Sequence, residues 1–343
     1  MYQRYQGDQI GEIDEDGIAQ WYPKCKIRKE GDYYIATPHS TNPSRRRKPK
    51  RELITVSVSE NGYKLAENKT NDISFDKENK RTVFTTTRKD LFNELYDKYS
   101  HLKPHERERA IFQDMRSLFK DKDTAEEFVS THWRRKRRNL YVRKKRFEYK
   151  AQNQAYEYFF TITYDGKKHT EESFEKSLKA AFSNLHKRYG CLFQGVWERG
   201  SENERLHFHG LIKDPRHKIL GSLEEKSDYN PKKGRMKTYL QSPYFAERFG
   251  RNEFRKIIPQ LYDSAINYIT KYLSKQGVTP YYSKGLYSFV EGDIQGNDVL
   301  GRMSDDASRD IRLLVWEKFK VWKDGEYLGE ASPKTLAQLP KKP

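Results

Sequence analysis

Leu192-Phe193-Gln194-Gly195-Val196-Trp197-Glu198, the polar turn Gly200-Ser201-Glu202-Asn203-Glu204 and then Leu206-His207-Phe208-His209-Gly210 decide how this chain is read. Two short apolar pieces on either side of a polar turn predict a hairpin of antiparallel strands. Successive side chains of a strand point to opposite faces, so His207 and His209 share one face and Phe208 takes the other. If Glu198 pairs with His207, Trp197 meets Phe208 and Val196 meets His209. Glu198, His207 and His209 then line one face, while Trp197 and Phe208 pack on the other. A slip of one residue would turn Glu198 away, leaving Glu202 and Glu204 in the turn as the alternative carboxylates.

Working outward, Tyr158-Phe159-Phe160-Thr161-Ile162-Thr163-Tyr164 reads as a strand closed by the turn Asp165-Gly166. Thr170, followed by Glu171, Glu172 and Ser173, opens a helix through Phe174, Leu178, Ala181, Phe182 and Leu185 to Tyr189, with Gly190 as its stop. Residues 214–236, rich in Lys, Gly and Pro, read as a loop. Pro259 and Gly277 then frame a helix whose apolar face is Tyr262, Ile266, Ile269 and Leu273. Tyr268 and Tyr272 stand at i and i+4 on its flank, with Lys271 and Lys275 just beyond. This order of elements predicts an α+β fold, an antiparallel sheet with helices on one side.

The chemistry follows from the residue types. Two imidazoles and a carboxylate with open positions suit Mn²⁺ or Mg²⁺ holding a phosphate, and Zn²⁺ is compatible with the same donors. A phenol near such an ion can attack the phosphate, and neighbouring ammonium groups are expected to favour the phenolate. Taken alone, a His-Phe-His strand is more often structural than ligating. The tyrosines shift that balance: a structural pair belongs in the middle of an apolar face, not at its margin beside lysines.

The bulk properties agree. A chain of 343 residues with 35% hydrophobic, 34% charged and 14% aromatic residues is long and aromatic enough to fold as several modules. Its net charge of +18 calls for a polyanionic partner, with nucleic acid ahead of a membrane surface. Residues 134–150 carry ten Lys or Arg against one Glu, a net of +9, half of the chain's excess. Arg134, Arg135, Lys136, Arg137, Arg138, Arg143, Lys144, Lys145 and Arg146 are therefore expected, with Lys275, to hold a DNA backbone. Tyr141 and Phe147 are available for stacking on unpaired bases. A second basic run, residues 44–51, reads equally well as a solvated loop or a phosphate contact.

Cys25 and Cys191 show no metal-ligand spacing and form no disulfide framework. With no apolar run of about 20 residues and no signal-like N-terminus, a soluble protein of a bacterial host's cytoplasm is expected. Four regions are predicted: a β-rich accessory region over 1–90, a helical and strongly basic segment over 91–150, the catalytic core over 151–290, and a packing extension over 291–343.

In order, Phe159-Phe160-Thr161-Ile162-Thr163-Tyr164, His207-Phe208-His209 and Tyr268-Ile269-Thr270-Lys271-Tyr272 resemble the three motifs of HUH endonucleases. Within that superfamily the chain resembles two-tyrosine rolling-circle replication initiators of the microvirus type, over roughly residues 155–290. The resemblance implies a ferredoxin-like or RRM-like sheet with the metal histidines on a central strand. It also implies nicking of single-stranded DNA at a replication origin, with a 5′-phosphotyrosyl link to Tyr268 and a free 3′-OH for a polymerase. Tyr272 would then serve a second transfer that rejoins the strand, and Lys271 would neutralise or orient the phosphate. No G-x-x-x-x-G-K-[ST] loop is present, so strand separation is expected from a host helicase. Two rivals stay open at this point: a two-tyrosine transposase, and a non-catalytic basic protein that binds single-stranded nucleic acid.

Overall fold

The computed structural model describes residues 19–30, 33–37, 52–59, 62–66, 74–76, 81–200, 205–230, 234–273, 278–302, 312–314 and 318–343. The basic run at 44–51, the alternative carboxylates Glu202 and Glu204, and Lys275 lie outside the described residues.

In chain order, β1 (Trp21–Glu30) and β2 (Tyr33–Thr37) precede β3 (Leu53–Ser59), β4 (Gly62–Leu65), β5 (Ser74–Asp76) and β6 (Arg81–Thr87). Three helices follow, α1 (Arg88–Lys98), α2 (Pro104–Met115) and α3 (Lys122–Gln152). Next come β7 (Tyr158–Thr163), α4 (Glu171–Tyr189), β8 (Leu192–Arg199) and β9 (Leu206–Lys213). Then come β10 (Glu224–Asn230), β11 (Arg235–Gln241), α5 (Pro243–Phe249), β12 (Asn252–Lys256) and α6 (Tyr262–Tyr272). The last part holds β13 (Pro280–Tyr282), β14 (Phe289–Gln295), β15 (Val299–Arg302) and β16 (Arg312–Leu314). It ends with β17 (Lys320–Lys323), β18 (Glu326–Glu330), α7 (Pro333–Leu336) and β19 (Lys341–Lys342). Seven α-helices and three antiparallel sheets among the described residues make this an α+β protein.

Two compact units divide the chain. Residues 42–142 form one, a four-stranded sheet in the order β4-β3-β6-β5 with α1, α2 and the first part of α3. Its core joins Ile54 and Val56 to Leu91, Leu95, Ile111 and Met115, the periodic apolar positions of the two helices. Thr87 caps α1 by accepting the Asp90 N–H at 3.0 Å.

The other unit joins residues 1–41 to residues 143–343 and contains two sheets. In one, β1 and β2 from the beginning of the chain pair with β14 and β16 from its end, around Cys25, Ile27, Ile294, Leu314 and Phe319. In the other, seven strands run in the order β10-β11-β12-β7-β9-β8-β13, which puts β9 inside the sheet with β7 and β8 on its flanks. α4 begins where Thr170 accepts the Ser173 N–H and ends at Gly190, whose φ of 74° is the left-handed value glycine tolerates.

Two expectations are corrected. Residues 214–236 hold a β-hairpin instead of a loop throughout, with β10 and β11 in register from Glu224↔Gln241 to Asn230↔Arg235. Its sequence lacks apolar alternation because this ribbon is exposed, Tyr229 and Met236 included, so burial imposed no period on it. The seven-stranded sheet also carries helices on both faces rather than on one side. α4 and α5 cover the face of Phe160, Phe193, Phe208 and Phe254. α6 and the end of α3 cover part of the other, where Ile266, Ile269, Phe147 and Ala151 meet Val196 and Leu211. The apolar stripe of α6 required a partner of its own, and the remaining sheet face supplied it.

Candidate active site

Register is what builds this site. β8 pairs with β9 so that Glu198 stands opposite His207, Trp197 opposite Phe208 and Val196 opposite His209. Phe208 is fully buried among Phe160, Phe182 and Trp197. Two glycines make that packing possible. Gly195 and Gly210 face each other across the two strands. A Cβ on Gly210 would sit 2.7 Å from both the Phe160 and Phe208 rings, and one on Gly195 would sit 2.5 Å from Phe208. The aromatic layer thereby locks the strand pair in one register.

On the opposite face the polar side chains gather. His209 Nε2 lies 3.2 Å from a Glu198 carboxylate oxygen, both side chains being nearly buried. The His207 and His209 rings are 6.0 Å apart and 27° from parallel. Strand β7 runs alongside with Thr161 opposite His209 and Thr163 opposite His207. Their hydroxyls meet the imidazole Nδ1 atoms at 3.0 Å and 3.1 Å respectively. Both hydroxyls thus hold the inner ring nitrogens and leave the Nε2 atoms pointing outward. Burial depresses the His207 pKa, the Arg205 charge acts in the same direction and Glu198 opposes it, which favours the neutral ring a ligand needs.

Whether these residues fit an ion can be asked of the donor set. Glu198 and His209 converge, whereas His207 sits one pleat further along with its Nε2 towards Gly200. Among the described residues no three His, Cys, Asp or Glu side chains are grouped closely enough to hold an ion as they stand. The chemistry nevertheless fits: two imidazoles anchored through Nδ1 and one carboxylate on a single sheet face are a mixed nitrogen and oxygen set.

α6 brings the phenols to this face. Its buried side is Ile266, Ile269 and Leu273, with Tyr262 packed against them. Tyr272 stacks on His209 with ring centroids 4.7 Å apart and planes 2° from parallel. Its hydroxyl donates to the Tyr268 hydroxyl at 2.7 Å. Tyr268 is 44% exposed and touches the edge of Phe159. Lys271 is exposed on the same helix.

One expectation about these phenols is overturned for Tyr272. Burial first, and then its hydrogen bond to Tyr268, push its pKa well up, so without an ion its proton is held more firmly, not less. A groove of about 440 Å³ opens beside Tyr268, lined by Phe159, Thr161 and Thr163, by Arg255 and Lys256 of β12, and by Leu261.

The basic residues of α3 separate into two kinds. In residues 42–142, Arg134, Arg135, Arg137 and Arg138 are exposed, while the Lys136 ammonium lies 4.7 Å over the Tyr96 ring. In the other unit, Arg146 is exposed, Lys144 is half-buried and Arg143 donates to the Val278 carbonyl at 3.2 Å. Lys145 is paired with Glu148 at 2.8 Å and with Glu30 at 3.7 Å. Tyr141 is 55% exposed, but Phe147 is fully buried under Val196 and Leu211, so it cannot stack on bases.

Sequence reasoning did not single out Thr161 and Thr163 as partners of the histidines. Their i, i+2 spacing, identical to that of His207 and His209, was the available signal.

Residues 157–277 match the family model of the replication-associated protein ORF2. That stretch runs from β7 through α6 and so contains the histidine strand and the tyrosine helix together. No curated protein and no solved structure matches the chain. No helix among the described residues is long and apolar enough to cross a membrane.

Proposed function

We propose that this replication-associated segment is a metal-dependent endonuclease of the two-tyrosine HUH, rolling-circle kind, similar to microvirus initiators. It nicks single-stranded DNA at a replication origin. The observation that carries the reading is the meeting of two motifs about sixty residues apart: Tyr272 stacked flat on His209 and hydrogen-bonded to Tyr268.

Glu198, His207 and His209 would hold Mn²⁺ or Mg²⁺. Such an ion, when bound, draws electron density from the scissile phosphate and neutralises its charge. The chain's own residues do the rest. Thr161 and Thr163 accept the Nδ1 protons of His209 and His207 and so keep each Nε2 lone pair unprotonated. The exposed Tyr268 attacks the phosphorus; a bond forms from its phenolic oxygen, the bond from phosphorus to the 3′ oxygen breaks, and that oxygen leaves with a proton as a 3′-OH. The DNA is left joined through a 5′-phosphotyrosyl bond, and its 3′-OH primes a host polymerase behind a host helicase. Tyr272 serves the later transfer, and Lys271 faces the phosphate charge. The exposed arginines of α3 hold the backbone without reading sequence.

The test is direct. The full chain is incubated with single-stranded origin oligonucleotides and Mn²⁺, and a covalent adduct is sought on a denaturing gel. An adduct is expected with the wild type and none with Tyr268→Phe and Tyr272→Phe combined. An adduct that survives the double substitution refutes the tyrosine mechanism.

A further inference from the structure

A second basic groove lies on the other side of the same sheet. It has a volume of about 720 Å³ and is formed by α4, α5 and the segment around Lys218. Its floor is Ala181 and Phe249, and its walls carry Arg188, Lys218 and Arg248 beside Tyr189 and Tyr244. Among the described residues that line it, none is acidic. All three cations are exposed. The Arg248 guanidinium lies 3.9 Å over the Tyr244 ring, and the Lys218 ammonium 5.7 Å over the Tyr189 ring. Arg188 and Arg248 both act electrostatically on the Tyr244 phenol, which places them in one neighbourhood. Elsewhere basic side chains of this chain meet carboxylates, as Arg199 does at Glu171 and Arg251 at Asp228.

Like charges gathered without a counter-charge repel one another, and an anion with several negative groups relieves that repulsion. A phosphate chain supplies such groups at regular intervals. Tyrosines standing between the cations add surface on which bases and sugars rest, the combination that single strands favour. α4 and α5 pack on the Phe160 and Phe208 face, whereas His207, His209, Tyr268 and Tyr272 belong to the other face. A strand in this groove therefore cannot present the same phosphate to the tyrosines.

We infer that the α4/α5 groove is a second, non-catalytic binding site for single-stranded DNA, gripping a segment that is not being cut. It stands apart from the metal and tyrosine chemistry and is tested without cleavage.

The probe is a fluorescent oligothymidine containing 5-iodouracil, used with the full chain in the absence of divalent metal. After irradiation, peptides containing Tyr189 or Tyr244 are expected to carry the cross-link. Arg188→Glu with Arg248→Glu is expected to weaken binding about tenfold near 0.1 M salt and to flatten the log–log salt slope by about 1.4. Lys334→Glu, an equal change at one exposed site on α7, is expected to cost less than twofold. Thermal melting confirms that the variants fold; if the double variant does not, Arg188→Gln with Lys218→Gln replaces it under the same criteria. Wild-type cross-links absent from both peptides overturn the inference, as does an unchanged slope in the folded variant. Equal cross-linking by a duplex of the same length overturns the single-strand assignment.

Discussion

The two faces of β9 obey different rules. Leu206, Phe208 and Ile212 point into an aromatic layer sealed by α4 and α5, where every ring touches others and Gly210 leaves room for them. His207 and His209, one residue out of phase, face Glu198, two threonine hydroxyls and two phenols beside an open groove. One side is chosen for volume and the other for atoms that accept and donate. The contrast teaches that substitutions along a single strand should separate cleanly into those that cost stability and those that cost chemistry.

The largest separation is expected at His209. His209→Ala should lower adduct formation by about three orders of magnitude, in the range seen when one member of a catalytic constellation is removed, while the melting temperature hardly moves. A parallel loss of folding, followed by circular dichroism, would make His209 a structural residue and erase the contrast.

Next, Phe208→Ala should destabilise the protein by about 3–5 kcal/mol, the usual cost of emptying a core aromatic site. Denaturant unfolding measures this, and the molecules still folded should form adduct at the wild-type rate. Gly210→Ala tests the same face from the other direction. Its added methyl overpacks the Phe160 ring and should cost about 1–3 kcal/mol.

Thr161→Val keeps the shape beside His209 and removes only the hydroxyl. It should raise the Mn²⁺ concentration needed for half-maximal cleavage about 10–100-fold, without lowering stability to match. Metal titration of adduct yield decides; an unchanged requirement would confine Thr161 to packing.

The smallest effect concerns pH. The folded-state pKa of His207 is depressed by burial below its ordinary value of 6.5. The unfolded chain therefore binds the proton first as pH falls, and stability is lost between 6.5 and the lower folded value. Above 6.5 the contribution is fully present. His207→Gln should flatten this part of the stability profile by less than about 1 kcal/mol, and unfolding curves at several pH values would show whether it does.

How much of this could be read from the sequence depended on what burial demanded. The pairing of Glu198 with His207 was legible because Trp197 and Phe208 needed the same face, leaving the polar residues no alternative. Likewise, Ile266, Ile269 and Leu273 fixed the rotation of α6 and so the side of the helix on which its two phenols stand. The β10–β11 ribbon was illegible for the opposite reason: exposed on both sides, its residues carry no apolar period. Phe147 misled because a basic run hides a buried residue in its midst; only its spacing to Ala151 on α3 hinted at an apolar stripe. The acidity of Tyr272 was not legible either. It depends on its depth against His209 and on a bond to Tyr268, both set by how α6 lies on the sheet.

The facing pair Gly195 and Gly210 has one more consequence. Only one alignment of β8 and β9 puts two missing side chains under the aromatic rings, and the same alignment assembles Glu198 with the histidines. A mispaired hairpin would lose its core and its chemistry together. Preparations of this protein should therefore contain competent molecules and inert ones, with few of intermediate activity. Specific activity then becomes a direct count of correctly folded chains.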